Sequence, residues 1–241
     1  MKKKTITNLD AIKAMRRGGR EAEMELLGPG FHSHNSVHKS EKIYTRKKNI
    51  KEGGKMLNIE RLIQTGIPDI APVYGGVRGR TMSSRHQAYA WSAIKEAGVK
   101  TIIDLREMDK SDKLPNLCQY HRLEYFHYPL DNNSRTIAQM VELFPKFCEQ
   151  IDKGNFYIAC AMGLHRTDIA LCTYWVFYAA DKGIVPPPIR GYRQEDGHNT
   201  NKIMRVLNAF YQHKTEIDGK EPMPIEVFKE RKKVINELSK A

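Results

Sequence analysis

The stretch that decides the fold is Tyr157–Thr167, which reads YIACAMGLHRT. A short run of β-branched and aromatic residues ends on Cys160, and an apolar stretch with helical spacing follows Thr167, so the sequence predicts a strand, a loop and a helix in that order. Such a loop directs backbone N–H groups and the positive end of the helix dipole towards one point, where they stabilise an anion or a thiolate. Because Arg166 can also hold two oxygens of a phosphate in a bidentate fork, this stretch favours attack on phosphorus by Cys160.

The motif in this stretch resembles the active-site signature of the cysteine-dependent protein tyrosine and dual-specificity phosphatases. That signature has a cysteine, five residues, an arginine and then a serine or threonine, with glycine at the third intervening place. Cys160, Gly163, Arg166 and Thr167 match it, and the resemblance covers residues 57–215. It implies that the backbone of one loop, called here the phosphate loop, binds the phosphate oxygens; its residues are Ala161, Met162, Gly163, Leu164, His165 and Arg166.

Two positions next to this motif depart from the family. The family usually has histidine before the cysteine, where this chain has Ala159, and glycine after the hydroxyl residue, where this chain has Asp168. The missing histidine removes a hydrogen-bond partner of the loop. A carboxylate near a thiolate opposes its charge, although in the first turn of a helix it also favours the helix dipole. These departures leave open a catalytically weak phosphate-binding pseudophosphatase.

Cleavage of a phosphate ester also needs an acid for the departing oxygen. Asp131 lies 29 positions before Cys160, in a polar loop after a short strand. In the family a mobile loop with an aspartic acid precedes the cysteine by a similar distance, so the resemblance implies that Asp131 is the general acid. A helix N-cap or a turn is the other role open to Asp131. Asp104 is a second candidate acid, but its place at a strand end favours pairing with a nearby arginine, and Glu124 is a poorer candidate.

The mechanism that the resemblance implies is a double displacement. Cys160 attacks phosphorus while Asp131 protonates the departing oxygen, and Asp131 then acts as base for the water that hydrolyses the phosphocysteine. Arg166 and the loop N–H groups hold the equatorial oxygens in both steps. The Thr167 hydroxyl donates to the sulfur and helps it to leave. This chemistry requires no metal and no cofactor.

The remaining pattern predicts one α/β phosphatase domain, with a central sheet of four or five mostly parallel strands flanked by helices, behind a basic N-terminal extension. One strand is predicted over Ile70–Val77, and a basic turn at residues 78–80 follows it. Pro72 indicates that this strand begins late or lies at a sheet edge. Another is predicted over Val99–Leu105. A helix is predicted over Thr136–Gln150, with a kink or break at Pro145. Other helices are predicted over Ser84–Ala97, Arg166–Ala180, Asn199–Gln212 and Ile225–Leu238.

The charge is concentrated at one end of the chain. Residues 1–55 contain 14 Lys and Arg against six Asp and Glu, a net charge of +8 out of +12 for the whole chain. This segment is poor in large apolar residues, so it is predicted to be a mostly disordered arm, with residues 56–241 as the phosphatase domain. The arm is either a solvated tail or a contact for nucleic acid or another polyanion.

The substrate prediction follows from the low charge of the phosphate loop. Relatives that act on highly charged inositol phosphates often carry lysines in this loop, and this chain has none there. The prediction is therefore a phosphorylated protein, through phosphotyrosine or mixed phosphoprotein activity. The alternative is an RNA 5′-phosphatase or another polyanion phosphatase. The loop of residues 190–198 is either a solvated connection or a pocket rim, where Arg190, Arg193 or Gln194 contacts substrate.

The cysteines and the hydropathy of the chain indicate its expected cellular location. The four cysteines form no Cys-x-x-Cys pair, and neither a signal-peptide-like apolar segment nor a run long enough to span a membrane is evident. A reducing cytoplasmic location without membrane contact is therefore expected.

Overall fold

The computed structural model describes residues 57–82, 88–107, 113–131, 135–192 and 201–240. The predicted basic arm lies outside the described residues, so its boundary with the domain at residues 55 and 56 stays a prediction. No helix in the described ranges is both long and apolar enough to cross a membrane.

Five strands form one sheet in the described part of the chain. They are β1 (Ala71–Val73), β2 (Gly76–Arg80), β3 (Thr101–Asp104), β4 (Glu124–His127) and β5 (Phe156–Cys160). Their order across the sheet is β1-β2-β5-β3-β4, with β1 antiparallel to β2 and every other neighbouring pair parallel. This confirms the predicted mostly parallel sheet, and it places β5 at the centre.

The helices cover both faces of the sheet. They are α1 (Ile59–Ile63), α2 (Ala88–Glu96), α3 (Leu114–Tyr120), α4 (Ile137–Asp152), α5 (His165–Phe177), α6 (Asn201–Asp218) and α7 (Ile225–Leu238), with a 3₁₀ turn at Ala179–Lys182. Side chains alternate along β5 because successive residues of a strand point to opposite faces. Ile158 and Cys160 belong to the core with α4–α7, whereas Tyr157 and Ala159 belong to the core with α1–α3.

The N-terminal strand prediction is wrong in one respect. Ile70–Val77 is not a single strand, because Tyr74 and Gly75 have φ values of 48° and 78° and turn the chain between β1 and β2. A two-residue hairpin loop with positive φ at both positions matches the twist of the flanking strands. Pro72 lies on the edge strand, which is one of the two placements predicted for it, and there the missing N–H costs no ladder hydrogen bond.

Pro145 does not break α4, which runs from Ile137 to Asp152. A proline inside a helix costs about 3 kcal/mol. The helix buries an apolar face that includes Met140, Phe144 and Phe147. Each such side chain contributes roughly 1.5–3 kcal/mol on burial, so packing against the sheet outweighs the local cost.

Candidate active site

Cys160 is the last residue of β5 and is 3% exposed. Because β5 lies between β2 and β3, the thiol stands at the carboxyl edge in the middle of the sheet. Open α/β sheets bind their ligands at this edge. The chain then forms a short loop and enters α5 at His165, so the predicted order of strand, loop and helix is what the structure has.

Thr167 contacts the cysteine from the first turn of α5. Its hydroxyl donates to Cys160 Sγ at 3.4 Å, and both side chains are buried. This is the contact that the resemblance implies between the hydroxyl residue and the sulfur. The helix fixes it, since the backbone of Thr167 cannot move without moving α5.

Gly163 lets the phosphate loop lie close to the neighbouring strand. Its φ is 72°, and its N–H donates to Cys160 O at 3.1 Å. A Cβ at this position would come within 2.4 Å of the Gly79 carbonyl carbon and 2.6 Å of Arg80 N. Only glycine therefore satisfies both the backbone conformation and the contact with β2.

Arg166 lies in the first turn of α5 and is partly exposed. Among the described residues its side chain makes no hydrogen bond or ion pair. A partly exposed guanidinium in the first turn of the helix that follows the thiol suits a phosphate, whose oxygens it can hold in a fork.

Asp168 is neutralised by a residue that sequence reasoning missed. Arg78 Nη1 lies 2.7 Å from Asp168 Oδ1, and neither side chain is exposed. The Asp168 carboxylate therefore has its own counter-ion, Arg78, which offsets the repulsion that was expected between this carboxylate and the Cys160 thiolate. Residues 78–80 are not a basic turn, as predicted, but part of β2. The signal in the sequence was the alternation of residues 77–80 after Gly76, which places Arg78 and Arg80 on one face.

Tyr192 is a second residue at the site that the sequence did not single out. It is 2% exposed, and its ring lies 4.9 Å from that of His165 in an edge-on arrangement. Burial raises the pKa of Tyr192 to about 12, and the negative charges of Asp168 and Cys160 act in the same direction. It stays a neutral phenol beside the phosphate loop. Arg193 and Gln194, predicted rim residues, lie outside the described residues.

Asp131 makes a turn hydrogen bond, which is one of the two roles that the sequence left open for it. The carboxylate is 4% exposed and accepts the backbone N–H of Arg135 at 3.0 Å, with the Arg135 Nε 3.5 Å away. Leu130 N donates to Leu105 O, and Leu105 N donates to Ala159 O. These contacts tie the segment to the strand end beside Cys160, and the acid role of Asp131 stays a prediction.

The other two carboxylates have structural partners. Asp104 is buried and lies 2.8 Å from Arg106 in an ion pair, and Tyr125 donates a hydrogen bond to it. This is the role expected for a strand-end aspartate. Glu124 accepts a hydrogen bond from Thr101. Thr101 and Glu124 are the first residues of the parallel strands β3 and β4. Glu124 therefore lies at the amino edge of the sheet, opposite Cys160, and is not placed to act as the acid.

A thiol at the carboxyl edge of a mostly parallel sheet, followed by a loop and then by an arginine in the first turn of a helix, is the arrangement of the cysteine-dependent phosphatases. The family model described as a dual-specificity and tyrosine phosphatase fused to NAD+ kinase matches residues 77–202, more than half of the chain. The chain belongs to this family. It is a phosphatase of the protein tyrosine and dual-specificity superfamily.

Several solved structures are similar to the chain. The active form of Tk-PTP has 16% identity and a TM-score of 0.41, over 59% of this chain and 96% of that one. A putative phosphatase (DUF442) from Shewanella putrefaciens CN-32 has 19% identity and a TM-score of 0.40, over 67% and 97%. The core catalytic domain of the PP-IP phosphatase SIW14 from S. cerevisiae has 12% identity and a TM-score of 0.34, over 60% and 75%. No curated protein matches the chain.

Proposed function

We propose that the protein hydrolyses phosphate monoesters through a phosphocysteine intermediate and that its substrate is phosphotyrosine or a mixed phosphoprotein. The observation that supports this most directly is the hydrogen bond from Thr167 to Cys160 Sγ at the entry of α5. A hydroxyl that donates to sulfur stabilises a thiolate, both as the attacking group and as the leaving group.

In the first step the Cys160 thiolate attacks phosphorus. The S–P bond forms and the P–O bond to the substrate breaks, and the departing oxygen takes the proton of the Asp131 carboxyl. Asp131 now accepts from Arg135, so the acid step requires the segment after Leu130 to turn its carboxyl towards the substrate. The phosphate-loop N–H groups and Arg166 balance the charge on the equatorial oxygens.

In the second step water attacks the phosphocysteine. Asp131, now ionised, takes a proton from the water as the new O–P bond forms and the P–S bond breaks. The electron pair returns to sulfur, where the Thr167 hydroxyl donates to the thiolate. Inorganic phosphate leaves, and the enzyme returns to its starting form.

The phosphate loop supports an aromatic substrate. Met162 is 47% exposed and its neighbour Ala161 is also exposed, whereas Gly163 is buried against β2. A thioether makes favourable contacts with aromatic rings, and it offers no charge to attract additional phosphates. A phosphotyrosine ring above the thiol would cover this exposed side chain.

A hydrolysis panel tests this proposal. We expect kcat/KM to be highest for phosphotyrosine peptides when these are compared with phosphoserine peptides, inositol phosphates and 5′-triphosphate RNA. Released phosphate is measured, and the Cys160→Ser variant serves as the blank for each substrate. A preference for RNA or inositol phosphates would favour the polyanion alternative, and no turnover on any substrate would favour the pseudophosphatase.

Dephosphorylation of a polyanion is the second candidate function, and Arg80 favours it. Arg80 pairs in register with Cys160 across parallel strands, so the two side chains leave the sheet on the same face. Within the described ranges its side chain makes no hydrogen bond or ion pair, and its Nε is buried. A second arginine on the same face of the sheet as the thiol suits a substrate with an additional anionic group.

The basic arm is proposed to recruit such a polyanion. Replacing six cations of the full-length chain by glutamine should weaken RNA binding and leave turnover of a small aryl phosphate unchanged; the six are Lys2, Lys3, Lys4, Arg46, Lys47 and Lys48. Each lost phosphate contact should flatten the slope of log K against log salt by about 0.7. Binding is measured as Kd over a range of salt concentrations.

The matched control replaces six exposed lysines of the domain, namely Lys95, Lys153, Lys220, Lys229, Lys233 and Lys240. If both sets flatten the slope equally, the arm has no special part in recruitment. If the arm variant loses small-ester turnover, the arm shapes the pocket instead.

A further inference from the structure

The guanidinium of Arg78 is buried behind the phosphate loop. Arg78 Nη2 donates to the carbonyl oxygens of Gly163 and Leu164, each at 3.1 Å, and Nη1 donates to Pro188 O at 3.2 Å. The same Nη1 lies 2.7 Å from Asp168 Oδ1. One side chain of β2 therefore holds two carbonyls of the loop, one carbonyl of the segment before Tyr192, and a carboxylate of α5.

These carbonyl contacts determine where the N–H groups of the loop point. In a planar trans peptide, the carbonyl of one residue and the N–H of the next point in opposite directions. When Arg78 binds the Gly163 and Leu164 carbonyls, it turns the N–H groups of Leu164 and His165 away from itself. Arg78 lies behind the loop, so these two donors face the side on which phosphate oxygens would bind.

Asp168, the partner of Arg78, holds the backbone of the segment that leads to Tyr192. Its Oδ2 accepts the backbone N–H of Gly191 at 2.6 Å and that of Arg190 at 3.1 Å. The segment that leads to Tyr192 is thereby held against the first turn of α5. Gly191 is itself in close contact, since a Cβ there would come within 2.8 Å of His165 N. Arg78 and Asp168 together join β2, the phosphate loop and the segment that leads to Tyr192.

We infer that the Arg78–Asp168 ion pair is a positioning device that pre-organises the phosphate loop, an inference that rests on the proposed phosphatase function. The pair has no net charge, so it does not oppose the thiolate. The ion pair also accounts for the two positions, Ala159 and Asp168, at which the chain departs from the family signature. Asp168 stands where glycine is usual, and its partner Arg78 orders the loop where Ala159 supplies no histidine.

A double-mutant cycle separates positioning from stability. Arg78→Met and Asp168→Asn are made singly and together, and melting temperature, kcat and the Kd of inorganic phosphate are measured. Each single change should lower the melting temperature, because it leaves one buried group of the pair without its partner. The double variant has no unpaired charge, so it should recover the part of the melting temperature that the unpaired charge costs, but not the part due to the three carbonyls that lose their donor.

The kcat and the phosphate Kd of the double variant decide between positioning and a purely structural role. Without Arg78 the loop donors lose their orientation, so we expect kcat to stay about 10²-fold below that of the unchanged protein. The Kd of inorganic phosphate should rise about 10-fold, as for the loss of one hydrogen bond to a charged group. Recovery of both quantities along with the melting temperature would overturn the inference and leave the pair with a purely structural role.

Arg78→Lys provides a second variant that does not depend on the cycle. An ammonium keeps the charge opposite Asp168 but cannot serve the carboxylate and three carbonyls in the fork geometry of a guanidinium. We expect a smaller loss of melting temperature than for Arg78→Met, together with a reduced kcat and weaker phosphate binding. Unchanged kcat and phosphate Kd would count against positioning.

The matched control is another arginine–aspartate pair of the same chain. Arg231 of α7 pairs with Asp181 and donates to Val176 O near the end of α5, away from the carboxyl edge of the sheet. Arg231→Met with Asp181→Asn should leave kcat and the phosphate Kd unchanged. Phosphate binding is measured by calorimetry without turnover, so a protein that hydrolyses no ester would refute the proposed function while still testing the effect of Arg78.

Discussion

Replacement of Cys160 by serine should lower kcat by roughly 10⁴-fold or more, the scale seen when a nucleophile is removed. The change replaces one atom. A serine hydroxyl is hardly ionised at neutral pH, and the neighbouring Thr167 donates a hydrogen bond to this position and cannot take a proton from it in that arrangement. The affinity for inorganic phosphate should change little, since the loop N–H groups and Arg166 remain. Phosphate release from a phosphotyrosine peptide measures kcat, and calorimetry measures the affinity for inorganic phosphate.

Cys148 offers the matched control for this substitution. It is buried in α4, and burial raises the pKa of its thiol to about 12. It therefore stays protonated at neutral pH and is not a nucleophile. Cys148→Ser should retain normal turnover in the folded protein. A Cys160→Ser variant with near-normal turnover would refute the nucleophile assignment, whatever the result at Cys148.

The arrangement around Cys160 was predictable because it is local. Cys160, Gly163 and Thr167 lie within eight consecutive positions. A strand, a short loop and a helix leave few ways to connect such neighbours, so the motif itself determines which groups meet. The hydrogen bond from Thr167 to the sulfur follows from the first turn of the helix.

Arg78 was not predictable because its contacts cross the sheet. It lies 85 positions before Gly163, and it reaches the phosphate loop only because β2 is the neighbour of β5. Hydrophobic periodicity predicts strands but not their order across a sheet. An arginine among glycines also indicates an exposed turn by composition, whereas here an ion pair with Asp168 makes its complete burial possible.

The position of Asp131 was only partly predictable. The spacing to Cys160 places it after the strand that precedes α4, and the structure has it at that edge of the sheet. Its hydrogen bond with the Arg135 N–H depends on the local turn, for which the sequence left two roles open. A carboxyl group can cap a turn in one conformation of a loop and, when protonated, donate a proton in another.

Asp131→Asn should lower kcat for phosphotyrosine peptides by about 10²–10⁴, the usual contribution of a positioned acid. The tyrosine phenol has a pKa of about 10 and leaves poorly without a proton. Esters whose leaving groups are much more acidic need no proton, so the loss on them should be far smaller. The measurement is kcat for the unchanged protein and the variant over a series of aryl phosphates with graded leaving-group pKa. The control is Glu124→Gln at the opposite sheet edge, which should leave this dependence unchanged.

The asparagine variant also distinguishes the acid role from the turn role. Its side-chain oxygen can still accept the Arg135 N–H, so the turn is retained while the transferable proton is lost. Asp131→Ala removes both, and it should cost about 1 kcal/mol of additional stability, as for the loss of a helix cap. If kcat falls only in the alanine variant, or falls equally for every leaving group, Asp131 is a turn residue. A loss in both variants that grows with leaving-group pKa would identify it as the general acid, because only proton donation depends on the departing oxygen.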